Sequence, residues 1–123
     1  MVLKLLFLST KNYIKYKVST ITLDNFLKKN KIKSIEILKI DIEGSEYDLL
    51  KGAKTALKKN KIKIILIEII DKKNLYEKKE KKIFNLLKKR NFILKKKANI
   101  LSISLFSNIK GGDYLFVNNK YLK

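Results

Sequence analysis

A chain of 123 residues with an apolar fraction of 46% can fill one domain with one core, which argues against a disordered or fibrous protein. Cysteine and histidine are both absent, which excludes disulfides, thiolate and imidazole metal sites, histidine-dependent triads and a histidine general base, so proton chemistry falls to Asp, Glu, Lys or Tyr. The formal charge of +19 invites a polyanion partner, but every basic residue except Arg90 is lysine and the chain is equally rich in isoleucine and asparagine, the mark of A/T-biased coding more than of selection for phosphate or base recognition.

In chain order, Val2 to Leu8 is an apolar run too short for a secretory h-region, interrupted by Lys4 and followed by no small-residue cleavage site. No window approaches the length of a membrane span. The expectation is a soluble cytoplasmic protein forming a single domain over residues 1–123, because neither proline nor a Ser/Gly-rich linker nor a repeat marks a boundary. Thr20 to Lys29 reads as a short helix capped by Thr22 or Asp24, with Leu23, Phe26 and Leu27 inward.

Ile35 to Ile40 reads as a buried parallel strand whose carboxyl end opens onto the acidic glycine turn from Asp41 to Gly44. Ser45 can cap the next helix, with Asp48 in the place of a capping-box acid and Glu46 favouring the positive helix start. Leu49, Leu50, Ala53 and Leu57 carry that helix to Asn60, and Gly52 inside it implies close packing of helix on sheet. Ile62 to Ile70, β-branched and apolar on both faces, predicts a second strand covered by helices on two sides. Tyr76, Ile83, Phe84 and Leu87 give another helix ending near Asn91, while Phe92 to Leu94 and Tyr114 to Val117 are further strands, with Gly111-Gly112 as the turn before the last. This alternation predicts an α/β fold: a mostly parallel sheet with helices on both faces.

In open α/β sheets, ligands bind beyond the carboxyl ends of the strands. Asp41, Glu43 and Glu68 fall at or near that edge, and carboxylates gathered there shift one another's proton affinity, so that one can take a proton from a hydroxyl. Simpler roles stand beside this one. Asp41 can close the turn with its side chain, Gly44 can serve a positive backbone angle, and Glu46 and Asp48 can be helix-start acids. Glu68, an acid among isoleucines, needs a function or a lysine partner to justify its place.

The run from Leu38 to Ala53, with Asp41, Glu43, Gly44, Glu46 and Gly52, followed by Ile64 to Ile69 enclosing Glu68, resembles the signature of FkbM-family methyltransferases. The likeness is strongest over residues 18–70, where Thr22 to Leu27 resembles the family's run before the motif; the tail to Val117 agrees in pattern only. The resemblance implies a Rossmann-like class I methyltransferase fold and transfer of a methyl group from S-adenosylmethionine to a hydroxyl of a saccharide, glycan or related metabolite. It places Asp41 and Glu43 beside donor and acceptor, Glu68 on the acceptor side, Asp41 and Gly44 toward the cofactor, and no metal. Family members open with a glycine-rich turn and a ribose-binding acid, whereas Met1 to Lys17 holds neither glycine nor acid. The expectation is therefore a carboxyl-terminal fragment that lacks the cofactor-loop unit and binds the donor weakly alone. Its strand before Asp41 would expose an edge that pairs with a missing amino-terminal half, pairs with itself, or is covered by Val2 to Leu8. The alternative is a basic, non-enzymatic module for nucleic acid or another anionic polymer, and a weak attraction to anionic membranes is also reasonable.

Overall fold

In the computed structural model, residues 16–71, 76–99 and 110–122 are described. Thr22 opens helix α1 (Leu23–Lys29) by accepting a hydrogen bond from the Asn25 amide at 3.2 Å, as a threonine cap should. Strand β1 (Ile35–Ile40) follows, then two short helices, α2 (Glu46–Lys51) and α3 (Lys54–Lys58), strand β2 (Ile62–Asp71), helix α4 (Tyr76–Lys88), and strands β3 (Phe92–Asn99) and β4 (Lys110–Asn118). Among the described residues no helix is long and apolar enough to cross a membrane.

The four strands form one sheet in the order β1-β2-β4-β3. β1 and β2 are parallel, with Ile40 beside Ile67, whereas β4 runs antiparallel to both β2 and β3. The expectation of a mostly parallel sheet is corrected: one strand pairing is parallel and the other two are antiparallel. Antiparallel neighbours do not need the helical crossover that keeps β1 and β2 parallel.

Burial is one-sided. Ile65, Ile67 and Ile69 of β2 are fully buried with Ile40, Tyr114 and Phe116, under Ile83 and Leu87 of α4. Phe84 of α4 meets both Tyr114 and Phe116 edge to face, with ring centres 5.1 Å apart. On the other side Ile64, Leu66, Leu115 and Val117 are half-buried, and Ile37 is 62% exposed. Of the two covered faces expected, the described residues form one closely packed face. β1 is correspondingly less buried than its apolar sequence implies, because among the described residues it stands at the edge of the sheet.

Other local expectations are revised in the same way. The single helix expected from Ser45 to Asn60 breaks at Gly52-Ala53, where the chain turns from α2 into α3. Gly52 sits at that break and not against the sheet: a side-chain carbon there would stand a tight 3.2 Å from Thr22 Cβ, and its carbonyl accepts the Asp24 amide at 3.0 Å. Phe26, expected inward, is exposed; Leu27 carries the buried face of α1. Gly111 and Gly112 are ladder residues of β4, opposite Ile70 and Ile69, and not a turn before it. The Val2 to Leu8 run lies outside the described residues.

Candidate functional site at the carboxyl ends of the strands

The parallel register that sets Ile40 beside Ile67 makes Asp41 and Glu68 the next neighbours along the two strands. Their carboxyl groups are near enough for Asp41 to raise the proton affinity of Glu68. The antiparallel register on the other side of β2 sets Asp113 directly opposite Glu68, so three acids from three strands stand in a row across the sheet. Burial pushes the Glu68 carboxyl above the ordinary glutamate range; the neighbouring Asp41 and the charge of Asp113 raise it further, while Lys39 opposes them. Lys39 also pairs with Asp41 at 3.3 Å, with both side chains well exposed.

The turn after β1 is held from below. Glu43 and Gly44 both take positive φ, 41° and 118°. At Gly44 the requirement is conformational, since a side-chain carbon would meet only the Lys79 ammonium at 3.7 Å. The Gly44 amide donates to Glu46 Oε1 at 2.6 Å, and the Gly44 carbonyl accepts from Lys79 Nζ at 2.6 Å. The same ammonium lies 2.7 Å from Glu46 Oε2, and Glu46 is 1% exposed. Ser45 occupies the cap position of α2 but makes no side-chain cap bond; Glu46 satisfies the turn instead. Asp48 pairs with Lys51 at 2.8 Å on the surface.

Of the residues singled out from sequence, the structure thus brings Asp41 and Glu68 into contact. Glu43 stands beyond them on the turn, with an exposed side chain. Gly44 shapes that turn, and both its backbone polar groups are committed within the protein. Asp113 went unrecognised, because only the antiparallel register of a strand distant in sequence places it across from Glu68. Glu46, assigned to a helix start, is the buried anchor of the turn. Among the described residues no group of three acids is arranged to hold a metal ion.

An edge of this kind can accept protons and hydroxyl hydrogen bonds, and it favours cationic over anionic ligands. The family model for the methyltransferase FkbM domain matches residues 3–94, most of the chain, and spans β1, the acidic turn and β2. No curated protein and no solved structure matches it. With the acidic turn and its paired strands inside the matched region, the chain belongs to the FkbM methyltransferase domain family.

Proposed function

We propose that the chain acts as an S-adenosylmethionine-dependent O-methyltransferase on a hydroxyl of a saccharide, glycan or related metabolite. The observation that carries this reading is the pairing of Asp41 and Glu68 as neighbours at the carboxyl ends of adjacent parallel strands, in a chain of this family. A sulfonium donor is cationic, and a row of carboxylates fits it in charge. When bound, that donor supplies an activated methyl group. The chain's own residues orient the acceptor and take its proton: Glu68, whose affinity for protons is raised, is the base, and the neighbouring charge of Asp41 helps to raise it. Lys39 offsets the charge of Asp41, and Glu43 borders the same site from the turn.

The outer edge of β1 has no strand partner among the described residues. We place the donor side beyond that edge, where a further strand would extend the sheet, since none of Gly44, Gly52, Gly111 and Gly112 belongs to a glycine-rich strand-to-helix loop. The test supplies methyl-labelled donor and a panel of saccharides to the chain, alone and mixed with a separately expressed glycine-rich unit of the family. A labelled methyl ether is expected, with turnover falling on the order of 100-fold in Glu68→Gln. Transfer at an unchanged rate in that variant would overturn the assignment of the base. Micromolar donor binding by the chain alone would overturn the need for that added unit.

A further inference from the structure

At the amino ends of β1 and β2, opposite the carboxylate row, α1, the turn after it and α3 border a cleft of about 430 Å³. Leu27, Ile32 and Ala56 give it an apolar lining, and Lys28, Lys31, Lys33 and Lys61 also line it. Lys39, Lys51, Lys63 and Lys79 each pair with a carboxylate. Among the described residues none of the four cleft lysines does. The cleft's one carboxylate, Asp24, is already committed, its two oxygens accepting from the amides of Thr55 at 2.7 Å and Ala56 at 2.8 Å.

Lys31 separates this cluster from a mere excess of lysine. α1, α3 and α4 are each followed by a residue with left-handed backbone: Lys31 at φ 55°, Asn60 at 51° and Asn91 at 64°. The turns after α1 and α3 close alike, with the Ile32 amide on the Leu27 carbonyl and the Lys61 amide on the Ala56 carbonyl, both at 2.9 Å. Asparagine tolerates this conformation better than lysine does. Its codons are as A/T-rich as those of lysine, so coding bias does not explain why position 31 alone departs. A lysine kept against backbone preference, at the mouth of a cleft with three other unpaired lysines, points to a use for its charge.

We infer that this cleft binds a small ligand carrying a diphosphate group. The four ammonium groups balance its charge, and the apolar lining receives whatever the diphosphate is attached to. The cleft falls in the size range of small-molecule sites, roughly 300–1,000 Å³, and offers no extended track for a polymer. The cluster also lies at the far end of the strands from Asp41 and Glu68, so its ligand does not compete with the reaction proposed there.

Isothermal titration of the full chain with inorganic pyrophosphate and, separately, ADP at about 150 mM salt tests the inference. Saturable one-to-one binding is expected, with amide shifts on titration clustering at Lys28, Lys31, Ile32 and Lys61. ADP binding more tightly than pyrophosphate makes a nucleotide the source of the diphosphate; equal affinity makes it the free anion. The triple variant Lys31→Asn, Lys33→Gln, Lys61→Gln should lose about tenfold or more in affinity, while a charge-matched variant, Lys81→Gln, Lys88→Gln, Lys95→Gln, should lose less than about twofold. Equal losses in the two variants, amide shifts scattered over the surface, or no saturable binding would overturn the proposal.

Discussion

Replacing Lys79 with methionine keeps the aliphatic stem and removes the ammonium that joins α4 to the acidic turn. In the wild type that ammonium lies 2.7 Å from Glu46 Oε2 and donates to the Gly44 carbonyl at 2.6 Å. Beyond it, Glu46 Oε2 has no hydrogen-bond partner among the described residues. The variant therefore leaves a buried carboxylate oxygen without a cation and a carbonyl without its donor. Removing one partner of a buried pair costs about 3–5 kcal/mol. The Lys79 side chain is 24% exposed, so water replaces part of what is lost, and about 2–3 kcal/mol is the expected cost. For a chain of this size that is a fall in melting temperature of roughly 10 °C, read by circular dichroism or calorimetry. Glu46→Gln, which can still accept from the Gly44 amide, should cost about 1–2 kcal/mol. The double variant should be more stable than the sum of the two losses by at least about 1 kcal/mol. Losses that add within about 0.5 kcal/mol would refute a coupled clamp.

Glu68 holds its proton more tightly in the folded chain than in the unfolded one, so between the ordinary glutamate range and its raised value the native state binds more protons. Stability should accordingly fall as pH rises through that window and level off above it, and Glu68→Gln should remove this part of the slope in urea titrations taken at a series of pH values. Gly44→Ala should cost about 2 kcal/mol by urea denaturation, because a φ of 118° disfavours any side chain even where space is open. Asp24→Ala removes two hydrogen bonds to the first amides of α3 and should cost about 1–2 kcal/mol, with faster hydrogen exchange at Thr55 and Ala56. A loss confined to α1 would contradict that bridging role.

The strand, turn and helix around Asp41 are legible in sequence because each is specified locally: an apolar run, a glycine that permits positive φ, then acids at a helix start. Ile62 to Ile70 is legible for the same reason, and its parallel partnership with β1 follows from the helices between them. What sequence does not disclose is set by distant neighbours. Gly111 and Gly112 resemble a turn until β2 pairs with both of them and β3 with Gly112. Gly52 resembles a helix interior until Thr22 is packed 3.2 Å from the place its side chain would occupy. Glu46 resembles an exposed helix-start acid until α4 brings Lys79 over it. Asp113 carries no local signal at all, since it gains meaning only from the antiparallel register of β4 on β2.

At the carboxyl ends of β1 and β2, Asp41 acts on Glu68 as its neighbour and raises its proton affinity. Side-chain carboxyl NMR titration of Glu68, in the wild type and in Asp41→Asn, tests it most directly. Glu68 should titrate above the ordinary glutamate range in the wild type and move part of the way back in the variant, since burial remains when the charge of Asp41 is gone. A Glu68 that titrates as an exposed glutamate, or that is indifferent to the change at Asp41, would contradict the account.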